Sequence, residues 1–516
     1  MDKNRSLELF RKNREKMLSG GGKEKISIQH SKGKRTARER INLLFDYESF
    51  IEHQPYVLSR ATEFGMDKKK QFGDGVITGS GKINGRQVFC SSQDFTIIGG
   101  SLGEMHANRI HEIIMLALKN GKPYIQINDS GGARIQEGIL PLDGYGKIFK
   151  ANTLASGIIP QISIILGPCA GGAVYSPALT DFTIMVDGIS NMFITGPNVV
   201  KAVTGETISH EELGGAKANC NKSGNAHFRF ETEEDSFDLI KRLLSYLPSN
   251  NSELPPLGET LDPVDRKIPE CLDILPDNPK KPYDVRKLID YIFDEKTFIE
   301  VHAEYAPNIV VGFAKLGGRT VGIFANQPLY FAASIDINAS DKAARFIRFC
   351  DSFNIPLISL VDVPGFLAGV SQEHGGIIRH GAKILYAISE ATVPKLSLII
   401  RKAYGGAYVA MASKSLGYDR VLAFPTAEIA VMGGEGAASI IFKREIESAR
   451  NREEVKSIKI KEYTDKVMNP FIAASYGLVD DIIEPENCRI ELIRSLEMNI
   501  NKVEHRPIKK HGNIPL

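Results

Sequence analysis

The sequence predicts an α/β protein in which one domain pattern is used twice, and three observations carry this reading. The pair Gly171-Gly172, with Ala173 after it, follows the apolar run Gln161 to Cys169. Gly405-Gly406, with Ala407 after it, follows Lys395 to Ala403, 234 residues further on. An aspartate precedes each pair at a matched distance: Asp129 lies 42 residues before Gly171, and Asp362 lies 43 before Gly405. Pro160 and Pro394 stand just before the two runs. After each run a second strand (Phe182 to Val186; Arg420 to Phe424) leads to another glycine turn, at Gly196 and at Gly433-Gly434. A period this long means duplicated domains and not a solenoid.

The elements follow in order. The first 40 residues hold 13 Lys or Arg against five Asp or Glu. Leu7, Phe10 and Leu18 form only a sparse apolar stripe, which predicts a surface-laid helix with a solvated basic face. Phe72 to Ile98 is strand-like, punctuated by Gly73, Gly75, Gly79, Gly81 and Gly85. Leu102 to Asn120 reads as a helix, with Ile110, Ile113, Ile114, Leu116 and Leu118 on its apolar side. Strand, loop and helix then alternate to about Val203, as in a layered α/β domain. The Pro-, Ser- and Asn-rich stretch Leu247 to Leu257 is the linker, so the domains are placed at 1–255 and 256–516. Asp262 to Pro282 is expected to wrap over a surface, a second α/β series runs from Val285 to Ile483, and the tail from Arg506 is too polar for a core.

Composition excludes several classes. A chain of 516 residues with 42% apolar residues and 47 glycines has ample material for two cores. A net charge of +2 gives no support to a nucleic-acid role. The six cysteines (Cys90, Cys169, Cys220, Cys271, Cys350 and Cys488) form no C-x-x-C pair, so zinc ribbons and redox motifs have no foothold and no metal is expected. Such spacing without a signal peptide fits the cytoplasm. The apolar stretch Gly157 to Tyr175 is broken by Pro160, Gln161 and Pro168, which favours strand–turn–helix over a membrane span.

The chemistry must come from something other than the familiar side-chain constellations. The G-x-S-x-G pattern occurs once, at Gly99 to Gly103, and no H-E-x-x-H helix or Walker A loop occurs. His374 and His380 are six residues apart with glycines between them, which reads as a loop with packing or capping histidines. The glycine turns are better candidates. A helix start preceded by glycine presents backbone N–H groups and a positive dipole end. Such donors suit a transient oxyanion, such as the oxygen of a thioester enolate. Two equivalent turns suit two carbonyl oxygens, one on each reactant. Glycine pairs can also serve only to let a helix pack closely on a strand, but two in matched settings favour the first reading.

The motifs then carry a resemblance over nearly the whole chain. They are Asp129 to Gly138 (DSGGARIQEG), Gly167 to Pro177 (GPCAGGAVYSP) and Phe193 to Pro197 in the first half. In the second half they are Asp362 to Phe366, Glu373 to Lys383, Arg401 to Tyr408 (RKAYGGAY), Pro425 to Gly433 and His511 to Leu516. The chain resembles the carboxyltransferase subunits of biotin-dependent acyl-CoA carboxylases, close to the propionyl-CoA carboxylase β and methylmalonyl-CoA decarboxylase α type. The resemblance implies two crotonase-like (ClpP/crotonase superfamily) domains and a homohexamer built as a dimer of trimers. Active sites would lie between the N-terminal, acyl-CoA-side domain of one subunit and the C-terminal, biotin-side domain of another. It implies that Gly171 and Gly172 hold the acyl-CoA thioester oxygen, with Gly131, Gly132 and Ala133 lining that hole. Gly406 and Ala407 would hold the ureido oxygen of biotin, with Gly405 shaping the turn and Gly365 and Phe366 lining it. In this family biotin itself takes the α-proton, which agrees with the missing protein base. The stretch from about Val301 to Phe346 matches the family's acyl-CoA-contacting region.

Absent motifs refine the expected partners. There is no Met-Lys-Met biotinylation tripeptide, no ATP-grasp pattern and no zinc ribbon of the split acetyl-CoA enzyme. Biotin would therefore arrive on a biotin carboxyl carrier subunit associated with a biotin carboxylase. The expected reaction is carboxyl transfer to a short acyl-CoA, propionyl-CoA giving methylmalonyl-CoA. One departure concerns substrate and direction: after Ala407-Tyr408 the propionyl-CoA carboxylases usually carry Asp, and this chain has Val409. Val409, with Gly436 to Ile446, looks more like transcarboxylase and methylmalonyl-CoA decarboxylase subunits. A biotin-independent crotonase-type hydratase or isomerase and a non-enzymatic assembly subunit are the readings from other classes.

Overall fold

The structure, a computed structural model, describes residues 3–516. The chain divides into two compact units, Met1–Glu253 and Leu254–Leu516.

In the first unit, helices α1 (Lys3–Leu18), α2 (Lys23–Ser31) and α3 (Ala37–Leu44) precede the sheet. Its strands are β1 (Ile51–Glu52), β2 (Val76–Ile83), β3 (Arg86–Gln93), β4 (Tyr124–Ser130), β5 (Gln161–Ala170), β6 (Phe182–Val186), β7 (Asn191–Phe193) and β8 (Phe228–Phe230). They lie in the order β1-β2-β3-β4-β5-β6-β8, with β7 beside the end of β5. β2 and β3 form the antiparallel hairpin expected from the glycine-punctuated segment, and the pairs from β3 onward are parallel. Helices α4 (Glu104–Asn120), α5 (Leu140–Ala155) and α6 (Glu233–Leu244) supply the layers. Ile110, Ile113 and Ile114 of α4 pack with Tyr145 and Ile148 of α5 and with Tyr124, Ile165 and Cys169 from the sheet.

The second unit repeats this plan. Its strands β9 (Ile299–Val301), β10 (Ile309–Leu316), β11 (Arg319–Asn326), β12 (Leu357–Val363), β13 (Lys395–Tyr404), β14 (Arg420–Ala423), β15 (Glu428–Ala430) and β16 (Asp481–Ile482) lie in the order β9-β10-β11-β12-β13-β14-β16. Here β15 stands beside the end of β13. The helices used below are α7 (Ile337–Ser352), α8 (Ile377–Glu390), α9 (Gly405–Ala412) and α10 (Cys488–Asn499). The proline-rich stretch after Asp262 does more than wrap over a surface. Ile268 and Cys271 are buried in the core against Cys488 and Leu492 of α10. His374 and His380 lie on two successive helices broken at Gly376, whose φ is +90°, and not in a loop.

One irregularity recurs in both sheets. Between β4 and β5 the register passes from Asn128 opposite Ile165 to Ser130 opposite Cys169, so β5 carries two extra residues. Between β12 and β13 it passes from Val361 opposite Ile399 to Val363 opposite Ala403. Asp129 and Asp362 are the residues facing these bulges. Both are buried, and each has a cationic neighbour.

The neighbours differ, and here the structure departs from the expected solvated basic face. Helix α1 is mostly exposed, with only Met17 buried. Lys34 and Arg40 run inward. Lys34 Nζ donates to Asp129 Oδ1 at 2.7 Å, and Arg40 donates to Asp129 Oδ2 at 2.9 Å, to both oxygens of Glu233 and to the Leu166 carbonyl at 2.8 Å. Burial lowers the Lys34 pKa even against the attraction of Asp129. Burial also works against the Arg40 charge, but Glu233 and Asp129 outweigh it and its pKa is raised. Arg40→Met, which takes the buried cation from Glu233 and leaves Asp129 with Lys34 alone, should cost about 3–5 kcal/mol in urea unfolding. Arg60→Ala, at the exposed pair with Glu104, should cost about 1 kcal/mol or less in the same measurement.

Candidate functional site

Each sheet delivers a glycine turn at the end of its bulged strand. In the first unit β5 ends on Ala170 in extended conformation, and Gly171 turns the chain at φ +63°. Its N–H donates to the Ile194 carbonyl, which follows β7, at 3.1 Å. The helical turn Gly171–Val174 starts here, and the first N–H groups of such a turn have no partner within it. With the Gly171 N–H engaged, Gly172 is the one of the expected pair, Gly171 and Gly172, whose N–H is left as a donor at the head of the turn.

The walls of this turn are built from neighbouring loops. Gly131 N–H donates to Gly99 O at 2.9 Å, Gly132 N–H to Ser130 Oγ at 3.1 Å, and Leu102 N–H to Gly132 O at 2.9 Å. A Cβ on Gly132 would sit 3.3 Å from Ala170 O, so this loop lies against the end of β5. Ala133 bridges to Leu102. Arg134, fully buried, holds the loop through Asp74 (2.7 Å), Glu137 (2.8 Å) and the Ser101 carbonyl (2.8 Å). Burial raises the Asp74 carboxyl above its usual range against the pull of Arg134. Behind Gly172 lies Tyr145: a Cβ there would be 3.2 Å from its ring. Ile135 and Ile194, on the loops that frame the turn, are exposed.

The second turn follows the same plan with different walls. Tyr404 is extended, Gly405 turns at φ +57°, and a Cβ on Gly405 would be 3.1 Å from the Val431 carbonyl after β15. Gly406 and the buried Ala407 open α9. Gly365 O accepts from Ile335 N–H at 3.1 Å, and Phe366 bridges to Ile335. The Phe366 ring is held between Gly406 and Gly381 of α8, where a Cβ would lie 3.6 Å and 2.9 Å from it. Val409, on the next turn of α9, is 37% exposed. His380 of α8 pairs with Asp341 of α7 at 2.8 Å, and Lys383 shares that carboxylate at 2.7 Å.

The structure therefore groups Gly131, Gly132, Ala133, Gly171 and Gly172 in one unit. It groups Gly365, Phe366, Gly405, Gly406 and Ala407 in the other, with Val409 one helical turn on. Sequence reasoning missed Tyr145 and Ile194, whose places depend on which helix and strand lie beside the turn. It also missed the service of Lys34 and Arg40 to Asp129. Among the described residues no group of three or more His, Cys, Asp or Glu side chains is placed to hold a metal ion. No helix among them is long and apolar enough to cross a membrane.

Comparison with known proteins shows the family. The carboxyl transferase domain family matches residues 28–514. The chain belongs to the carboxyl transferase family. It is 54% identical over 510 residues to the propionyl-CoA carboxylase carboxyltransferase subunit of Haloferax mediterranei, covering 99% of each chain. It is 53% identical over 512 residues to methylmalonyl-CoA decarboxylase subunit alpha of Propionigenium modestum, again covering 99% of each. The crystal structure of transcarboxylase 12S, a hexamer with methylmalonyl-coenzyme A and methylmalonic acid bound, superposes with a TM-score of 0.97. That pair is 52% identical, covering 100% of this chain and 99% of the other. This carboxyltransferase is thus an acyl-CoA enzyme with the duplicated crotonase-like fold.

The backbone of the two turns has a measurable cost to any side chain. Gly171→Ala and Gly405→Ala, both at left-handed φ, should each destabilise the carboxyltransferase by about 1–2 kcal/mol. Gly146→Ala, in the exposed face of α5 with open space around it, should stabilise by up to about 1 kcal/mol. Thermal unfolding of the three variants checks both signs.

Proposed function

We propose that this chain moves a carboxyl group between biotin, carried by a partner polypeptide, and the α-carbon of a short acyl-CoA, the pair being propionyl-CoA and methylmalonyl-CoA. The observation that carries the reading is the repeated turn: the same strand end, bulge and left-handed glycine, each leaving backbone donors beside apolar or aromatic walls. A thioester α-proton becomes labile only while the carbonyl oxygen is held, and each backbone donor to such an oxygen is worth roughly 2.7–4 kcal/mol of barrier. In the first domain, of the expected pair Gly171 and Gly172, Gly172 is assigned that oxygen. Gly171 sets the turn, and the Gly131-Gly132-Ala133 loop and Tyr145 form the walls.

The second turn fits a cyclic urea. Gly406 and Ala407 can donate to its oxygen, while the Phe366 face and Val409 offer apolar surface to the ring. Biotin, when bound, supplies the carboxyl group and a ureido nitrogen able to accept the α-proton. The chain's own part is to orient both oxygens, strengthen their developing charge and exclude water. We infer a hexameric assembly, a dimer of trimers with the two kinds of turn facing each other across subunits. A biotin carboxyl carrier and a biotin carboxylase would be the partners. The exposed Ile135, Ile139 and Ile194 in the first unit and Val370, Ile378 and Val431 in the second support burial in such contacts.

The direction of the reaction separates two readings. Val409 in place of the carboxylases' usual aspartate favours a decarboxylase or transcarboxylase subunit, while the 54% identity to a propionyl-CoA carboxylase subunit supports the carboxylase reading. The assay is made on the complex purified with its biotinylated partner. ATP- and bicarbonate-dependent carboxylation of propionyl-CoA supports the carboxylase, and avidin-sensitive, ATP-independent release of CO2 from methylmalonyl-CoA supports the decarboxylase. Hydration of an enoyl-CoA by the isolated chain would sink both. Gly406→Val should lower carboxyl transfer by at least about 100-fold while acyl-CoA affinity and assembly persist. Retained transfer would show that the second turn is misassigned.

A further inference from the structure

The two turns are built alike, but a side-chain pair braces only the second. Tyr404 is the last residue of β13, and α9 starts from its backbone. Its hydroxyl donates to Glu428 Oε2 on β15. β13 and β15 run parallel with Lys402 opposite Glu428 and Tyr404 opposite Ala430, so the two side chains are diagonal neighbours on one face. The same ring meets Gly433, where a Cβ would lie 3.3 Å from it, at the entrance to the helix Gly434–Ile441. Val431, between these points, sets its carbonyl against Gly405. One phenol thus ties β15 and the following turn to the residue from which Gly406 and Ala407 extend.

The first unit shows that the fold does not require this brace. There Pro168 stands opposite Asn191 and Ala170 opposite Phe193, so Ala170 takes the place of Tyr404 and Asn191 that of Glu428. Ala170 cannot reach, and yet the same strand, turn and helix form. A hydroxyl donating to a carboxylate makes a charge-assisted bond, roughly twice as strong as a neutral one. Burial and the adjacent Glu428 push the Tyr404 phenol up, so it remains a donor across the working pH range.

We propose that Tyr404 and Glu428 are positioning residues of the second turn, fixing the Gly406 and Ala407 N–H groups for the ureido oxygen. This rests on the assignment of biotin to that turn. Misplacement of a reacting partner by about 1 Å can cost roughly 100-fold in rate, which leaves room for a large effect without loss of the fold.

The test uses the full-length enzyme and the variants Tyr404→Phe, Glu428→Ala and Glu428→Gln. Hydrogen–deuterium exchange of the segment 404–412, without substrates, should quicken on the order of tenfold in Tyr404→Phe and Glu428→Ala. With methylmalonyl-CoA and free biotin as substrates, kcat should fall roughly 10- to 100-fold in both, with KM for the acyl-CoA within about twofold. Glu428→Gln keeps an acceptor oxygen and should recover most of the exchange protection and rate. Unchanged exchange or unchanged kcat in Tyr404→Phe overturns the proposal, as does an equal defect in Glu428→Gln and Glu428→Ala. A rise in acyl-CoA KM with kcat intact would give the pair to the other substrate and overturn it too. If the wild-type enzyme binds acyl-CoA but carboxylates no biotin, the biotin reading itself fails and this role with it.

Discussion

A buried carboxylate facing a two-residue bulge is the constraint on which both halves depend. Asp129 faces the bulge of β5, and Asp362 that of β13, and neither charge could stay inside without a partner. Asp362 is satisfied locally, by Arg401 at 2.8 Å and the Lys402 N–H at 3.1 Å, both from the bulge itself. Asp129 has no such neighbour, because the matching bulge position is Gly167, where any Cβ would overlap the carboxylate. Its cations arrive from far along the chain, as Lys34 and Arg40, with Gln29 adding a bond at 3.0 Å. Arg40 also takes the Leu166 carbonyl that the bulge frees from the sheet ladder. Each glycine turn starts only a few residues beyond its bulge, so the direction of its N–H groups is set by how that charge is held.

Duplication therefore preserved a geometry while the means of holding it diverged. The first turn is walled by Tyr145 and a loop locked through Arg134, Asp74 and Glu137. The second is walled by Phe366 wedged between two glycines. Divergence of this kind suits two ligands that share one feature, a carbonyl oxygen gaining negative charge, and differ in everything attached to it. Backbone donors carry the shared part, and side chains carry the difference.

What could be read from the sequence follows the same division. The strand runs, the aspartates and the glycine pairs were legible because the bulge, the left-handed turn and the helix start each restrict residue type and spacing locally. The basic N-terminal segment was not. Composition cannot tell that Arg11 and Lys12 stay on the outer face of a surface helix while Lys34 and Arg40 enter a core, since the carboxylate they meet is about 90 residues away. The loop expected between His374 and His380 is a break between two helices, because Gly376 ends one and starts the next. The walls at Tyr145 and Phe366 depend on which helix packs behind each turn, and that is decided by tertiary packing.

The most direct measurement is the position of the thioester oxygen in a crystal structure of the assembled enzyme with a short acyl-CoA bound. The oxygen should lie within hydrogen-bond reach, about 2.7–3.2 Å, of the Gly172 N–H, with the Gly171 N–H still on Ile194 and the Gly406 turn left for the second reactant. A thioester oxygen seated on Gly406 and Ala407, or one held by side chains away from both turns, would contradict the division of labour between the two halves.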